Sequence, residues 1–293
     1  MRRGLMDDEF FLVYQPQVET RTGRAFGVEA LLRWRDPERG IIGPAEFIPI
    51  AEESGMIQAL GARVLRDACR QVAQWHRCGM PMRLSVNLSV QQLQHDSWLS
   101  IVEDALASSG LAAGELDLEI TESVIITHPD KAVATLAKLK EMGVSITVDD
   151  FGTGYSSLSQ LNKLPIAQLK IDRSFVSQIT QNRSDAVIVQ TIIGMGRNLD
   201  LEVIAEGVET EAQKAILAGH GCDLYQGYLL ARPMPVADFE RSLGGPAAPP
   251  QAWRFAMRVM ICALALCVAG LIASTVLHGC AICARWAATA QGG

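Results

Sequence analysis

A series of short apolar runs in this chain ends, each time, on an acidic, amide or basic side chain, and that recurrence restricts the fold more than any other feature. Glu29 follows Phe26-Gly27-Val28, and Asn87 follows Leu84-Ser85-Val86. Glu119 lies in Leu116-Asp117-Leu118-Glu119-Ile120, while Asp149 and Asp150 close the run Val144 to Val148. Lys170 lies in Leu169-Lys170-Ile171-Asp172, and Glu206 ends Leu201 to Ala205. Strands followed by helices, with polar groups at the carboxyl ends of the strands, are how a (β/α)8 barrel assembles an active site. Hard oxygen donors gathered from several strands suit Mg²⁺ or Mn²⁺, and two such ions can support phosphodiester hydrolysis. Taken singly, each carboxylate can equally cap a following helix or join a surface pair. The ordered set favours a shared site.

The rest of the chain supports alternating strands and helices. Strands are expected at Phe11 to Val18 and Ala25 to Trp34, with Thr20 to Gly23 as a hairpin turn between them, which makes this first pair antiparallel. Gly43-Pro44 opens a short helix through Glu52, and Ile57 to Arg77 carries Leu60, Val64, Leu65, Ala68, Val72 and Trp75 at helical spacing before Gly79. Strands near 84–88, 116–121, 145–149, 168–171, 201–205 and 223–226 then alternate with helices near 97–109, 130–142, 157–163, 185–199, 210–218 and 236–243. The expected fold class is α/β, a modified TIM (β/α)8 barrel with an antiparallel first strand, plus an apolar helix near the carboxyl terminus.

Composition narrows the partners. A net charge of −6 argues against a sequence-independent DNA binder, which needs a basic surface, but leaves a nucleotide substrate open if metal ions carry the local positive charge. Cys69, Cys78 and Cys222 form no regular framework, as expected in a reducing compartment. The five histidines show no ligand spacing, which disfavours a zinc hydrolase. No amino-terminal stretch resembles a signal peptide. Three segments are expected: a barrel over 1–243, a Gly/Pro-rich linker over 244–253, and a tail over 254–293. Val259 to Leu277 contains no charged residue and, at about 1.5 Å per residue, spans roughly 28 Å, enough for a transmembrane helix. Arg254 and Arg258 on one side and Arg285 on the other favour a cytoplasmic barrel anchored at the inner membrane. An apolar helix packed on the barrel, or an extension from an altered reading frame, are the other readings. Cys280 and Cys283 have the spacing of a metal or redox pair, with no second pair to complete it.

Glu29-Ala30-Leu31, inside Val-Glu-Ala-Leu-Leu-Arg-Trp, is accompanied by Tyr14-Gln15-Pro16, Asn87-Leu88-Ser89, Glu119-Ile120-Thr121-Glu122 and Asp149 to Ser157. Leu169 to Asp172, Glu206-Gly207-Val208-Glu209-Thr210 and Gln226-Gly227-Tyr228 follow in order. From about Phe10 to Leu243 this series closely resembles the EAL domain family of cyclic di-GMP phosphodiesterases, which shares the antiparallel first strand. Asp36 and Ala167 depart from the family pattern, where histidine and aspartate are common, but neither belongs to the acidic set.

The resemblance implies metal-dependent hydrolysis of cyclic di-GMP to linear pGpG. It implies that Glu29, Asn87, Glu119 and Asp149 hold a first Mg²⁺ or Mn²⁺, that Asp149 bridges to a second ion contacted by Asp150, and that Glu206 lies beside it. Glu206 would be the base for the attacking water, Lys170 would position that water and balance charge, and Glu29 completes the catalytic set. Gln15, Arg33, Asp172 and Gln226 would line the nucleotide site, with Arg33 able to grip phosphate bidentately. Glu122 would anchor the loop 149–157, through which family members form homodimers, and Glu209 would support the second metal. For Arg33, Lys170 and Glu209, a strand-end or helix-start charge remains the plainer alternative. A non-catalytic receptor for cyclic di-GMP is the competing class, although such receptors usually lack a metal or base residue that is present here.

Overall fold

The computed structural model describes residues 1, 4–5, 7–122, 129–154, 161 and 163–242. The chain divides into two compact units, Met1–Val236 and Ala237–Gly293. In the first, β1 (Phe10–Glu19) and β2 (Ala25–Asp36) form the expected hairpin, with Gln15 opposite Glu29. The turn is closed by the Gly23 amide donating to the Glu19 carbonyl at 2.8 Å, and Gly23 has φ +69°, which glycine adopts without steric cost. A short β3 (Gly40–Ile42) folds back on β2, and the first helix, α1 (Pro44–Glu53), starts with proline in its first turn. The long α2 (Ile57–Arg77) buries Leu60, Leu65, Ala68, Val72 and Trp75, the apolar stripe that its sequence spacing announces.

Thereafter strands and helices alternate. They are β4 (Arg83–Asn87), α3 (Val90–Leu93), α4 (Trp98–Ser109), β5 (Leu116–Thr121), α5 (Pro129–Glu141), β6 (Ser145–Phe151), β7 (Gln168–Ile171), α6 (Arg173–Gln178), α7 (Arg183–Asn198), β8 (Glu202–Ala205), α8 (Glu211–His220) and β9 (Leu224–Tyr225). Strands β2 and β4 to β9 pair in parallel with their sequence neighbours, and β1 closes the ring by pairing antiparallel with both β2 and β9. The result is a closed eight-stranded barrel surrounded by helices, with β3 outside the ring.

The expected apolar carboxyl-terminal helix requires correction. The last described helix, α9 (Val236–Ser242), is the one expected near 236–243 and carries Asp238, Glu240 and Arg241. Among the described residues no helix is long and apolar enough to cross a membrane. The segment 259–277 lies outside the described residues, as does most of the helix expected at 157–163.

The barrel interior explains where the polar side chains go. Along β5, Leu116, Leu118 and Ile120 occupy one face, and Asp117 and Glu119 the other. Asp117 lies in a buried polar layer, accepting from Thr147 Oγ1 at 2.8 Å and Ser85 Oγ at 3.3 Å. Two residues further along the parallel strands stand Asn87, Glu119, Asp149 and Lys170. Parallel registers that align Asn87 with Glu119, and Thr121 with Asp149, bring this second layer to one end of the barrel. Period-two alternation thus places the strand-end residues at the mouth.

Candidate active site

Lys170 is the centre of the mouth. Its side chain is 1% exposed, and its Nζ lies 2.6 Å from Glu119 Oε2 and 2.6 Å from Glu206 Oε1. Asp149 Oδ1 at 3.5 Å and Glu29 Oε2 at 3.6 Å complete a ring of four carboxylates from four segments. Burial works against the charge on Lys170, but Asp149, Glu119, Glu206 and Glu29 outweigh it and hold its proton well above the ordinary lysine range.

Amides orient one of these acids. Asn87 Nδ2 donates to Glu29 Oε1 at 2.7 Å, and Gln226 Nε2 donates to Glu29 Oε2 at 2.6 Å and to Gln15 Oε1 at 2.9 Å. Burial disfavours the Glu29 carboxylate, yet Lys170, Gln226 and Asn87 together keep its pKa below the usual value. Glu119 has the opposite balance. Burial, and then the neighbouring Glu29, push it well above the carboxylate range despite Lys170.

A divalent cation fits this donor set. Oxygens of Asp149, Asp150 and Glu206 lie within 4.8 Å of one another, and the buried Glu119 Oε1 has no hydrogen-bond partner. All the candidate donors are oxygens, which favours hard ions. Asp150 takes φ +54°, a left-handed conformation uncommon outside glycine, and this aims consecutive aspartates at one region. Of the six ligands expected from sequence, Asp149, Asp150 and Glu206 form the tight oxygen cluster. Glu29, Asn87 and Glu119 are gathered beside it around Lys170.

Protonation links this cluster to pH. Burial, with Asp149 and Asp172 nearby, pushes Asp150 up to about 6, and burial pushes Glu206 up to about 8 even against the pull of Lys170. Each group must be deprotonated to bind a cation, and the deprotonated form is complete only above its own pKa. Metal affinity therefore rises with pH between about 6 and 8 and falls on acidification. Calorimetric titration with Mn²⁺ should give a Kd roughly a hundredfold weaker at pH 6 than at pH 8, with proton release at the lower pH. A flat profile would refute this.

The remaining predicted residues are placed differently. Asp172 caps α6, accepting from the Ser174 amide at 3.0 Å and from the Ser174 hydroxyl. Arg33 is half-buried and donates to the Leu32 carbonyl at 2.8 Å. Neither side chain is among those lining the groove of about 1010 Å³ that runs over the carboxylates. Glu122 Oε2 accepts from the Gly152 and Gly154 amides at 3.2 and 3.1 Å, tying the segment after β6 to the end of β5. Residues 155–157 of the expected dimer loop lie outside the described residues. The Glu209 amide donates to Gln213 Oε1 at 2.7 Å, within a capping box at the start of α8, while its residue borders the groove.

Sequence reasoning did not single out Glu52, Thr121 or Arg173, all of which line the groove. A signal for Arg173 exists in Gly207. This glycine has φ +68°, and a Cβ there would stand 2.6 Å from Arg173 Cβ, so only glycine lets the loop after Glu206 pass so near α6.

Fold and mouth together define a class: a β/α barrel whose strand-end carboxylates gather around a cation. The EAL domain description matches residues 1–233, and the chain belongs to the EAL domain family. It is 44% identical over 254 residues to the cyclic di-GMP phosphodiesterase NbdA of Pseudomonas aeruginosa, an alignment covering 85% of this chain and 32% of NbdA. The bifunctional diguanylate cyclase/cyclic di-GMP phosphodiesterase MucR of the same organism is 45% identical over 236 residues, covering 80% of this chain and 34% of MucR. This chain therefore spans about a third of the length of these relatives. The solved PaMucR phosphodiesterase, in complex with c-di-GMP, superposes with a TM-score of 0.79 at 44% identity, covering 81% of this chain and 97% of that one.

Proposed function

We propose that this chain hydrolyses cyclic di-GMP to linear pGpG, using two Mg²⁺ or Mn²⁺ ions held by Glu29, Asn87, Glu119, Asp149, Asp150 and Glu206. The observation that carries the reading is the convergence of Glu29, Glu119, Asp149 and Glu206, all lining the groove, on the buried ammonium of Lys170. A volume of about 1010 Å³ lies at the upper end for small-molecule sites and suits a dinucleotide better than a mononucleotide. The matches to NbdA and to PaMucR with its c-di-GMP support the choice of substrate.

When bound, the ions supply Lewis-acid stabilisation of charge on the phosphoryl oxygens. Glu206 accepts a proton from the attacking water, and Lys170, 2.6 Å from Glu206 Oε1, orients that water. The water oxygen forms the new bond to phosphorus, the bond to the ribose 3′ oxygen breaks, and the departing oxygen is protonated from solvent. Gln15 and Gln226 hold Glu29 in register. Arg33 and Asp172, which are not among the residues lining the groove, would reach phosphate and guanine by turning from the Leu32 carbonyl and the Ser174 amide. Glu209 supports the metal side of the groove. A second copy pairs through the region 149–157, a role supported by the Glu122 tether on Gly152 and Gly154. The catalytic unit spans 1–243, with 244–253 as a linker, and the substrate class places the reaction in the cytoplasm.

The test is incubation of the purified full chain with cyclic di-GMP and Mn²⁺, with products separated. Linear pGpG should accumulate only with metal present. Intact cyclic di-GMP after prolonged incubation would sink the proposal and favour a receptor.

A further inference from the structure

We infer that Lys170 is a positioning residue that acts as the resident counter-ion of the metal-free barrel, competing with an incoming divalent cation for Glu29, Glu119, Asp149 and Glu206. The inference rests on the metal-dependent reading above and concerns the site before loading. Four carboxylates converging on one barrel mouth repel one another when ionised, and a cation among them relieves that repulsion. The Lys170 ammonium meets that need directly, touching Glu119 and Glu206 at 2.6 Å and approaching Asp149 and Glu29 at 3.5 and 3.6 Å.

The arrangement is also built to be displaced. An ammonium has unit charge and three donors, and here only two of its contacts are short. A divalent ion carries twice the charge and takes six or more oxygens. Glu119 Oε1 is buried without a hydrogen-bond partner, an acceptor that the lysine leaves unused and a cation can engage. The Lys170 stem is fixed in β7, whose residues are all buried, so the ammonium cannot withdraw to solvent. Displacement therefore leaves it within the mouth, beside Glu206, where the attacking water must stand. One side chain keeps the ligands assembled before loading and is released toward the reacting water by loading.

Lys170→Met keeps the stem and removes the charge. Melting of the full chain is measured in EDTA and in saturating Mn²⁺, and the Mn²⁺ Kd is measured by calorimetry at pH 8. In EDTA the variant should melt roughly 10 °C below the wild type, because its carboxylates lack a counter-ion. Mn²⁺ should close most of that gap, and the variant should bind Mn²⁺ at least about tenfold more tightly, the size of a typical coupling between two linked sites. An equal gap with and without Mn²⁺, or a Kd unchanged or weakened, overturns the inference. So does a variant that folds in neither condition, because the lysine would then do something that the metal cannot replace. A wild type that binds Mn²⁺ and opens cyclic di-GMP, beside a variant of unaltered Kd, defeats this inference alone. A wild type that binds no Mn²⁺ defeats the functional reading as well.

Discussion

On the proposed reaction, Glu206→Gln should lower the turnover of cyclic di-GMP by about 10²–10⁴-fold while substrate binding persists. The substitution nearly preserves size and keeps an oxygen that can accept from Lys170 Nζ, 2.6 Å away in the parent structure. What it removes is a basic oxygen, on a carboxylate that burial has already pushed up to about 8. Product-resolved rates at saturating substrate, with binding followed by calorimetry, check the expectation. Turnover within a few fold of the parent would move the proton acceptor elsewhere. Equal loss of binding and rate would instead mean that the side chain serves chiefly to hold the metal.

The second large effect is structural. Gly227→Ala should abolish folding, or lower the melting temperature by more than about 10 °C, because the new Cβ has no room. It would stand 2.1 Å from the Val208 carbonyl oxygen, 2.3 Å from the Val208 nitrogen and 2.7 Å from its carbonyl carbon. These are backbone atoms, pinned by Val208 N–H to the Gln226 carbonyl and by Leu229 N–H to the Val208 carbonyl, at 3.1 and 2.9 Å. Gln226, next in sequence, is the residue that orients Glu29, so any survivor of the substitution should also lose activity. Circular dichroism melting of the variant beside the parent decides it, and an unshifted melt would show that the loop yields cheaply. Gly154 provides a contrast. There the nearest atom is the Glu122 carboxylate carbon at 2.8 Å, a side chain with some freedom to move aside.

The parts of this molecule that are legible in its sequence are those governed by local periodicity. Alternation along Leu116-Asp117-Leu118-Glu119 predicts which side chains face the barrel interior, and the structure places Glu119 there. The helical stripe of Ile57 to Arg77 and the turn before Ala25 are likewise set by near neighbours. Long-range geometry is less legible. Nothing in the local sequence of Asp172 announces both places it takes in the structure, capping α6 and standing near Asp150. Arg33 has the chemistry to grip phosphate, and here its guanidinium donates to the carbonyl of its neighbour Leu32. Arg173 lines the groove, and Gly207 lets a loop distant in sequence pass beside it, a contact that no run of neighbouring residues encodes. The apolar stretch 259–277 lies outside the described residues, among which no helix is long and apolar enough to cross a membrane.

The antiparallel closure of the ring has a consequence for how the chain is made. Val18 pairs with Tyr225 and Glu19 with Leu224, so the seam joins two strands separated by nearly the whole barrel sequence. The first hairpin can form as soon as it leaves the ribosome, but its outer edge waits until β9, only two residues long, has been synthesised. Until then the growing sheet has open edges, each able to pair with another nascent chain. Emergence of β9, rather than any early nucleus, sets the moment at which this barrel becomes safe from aggregation. Chaperone demand should accordingly be concentrated in the interval before residue 225 emerges.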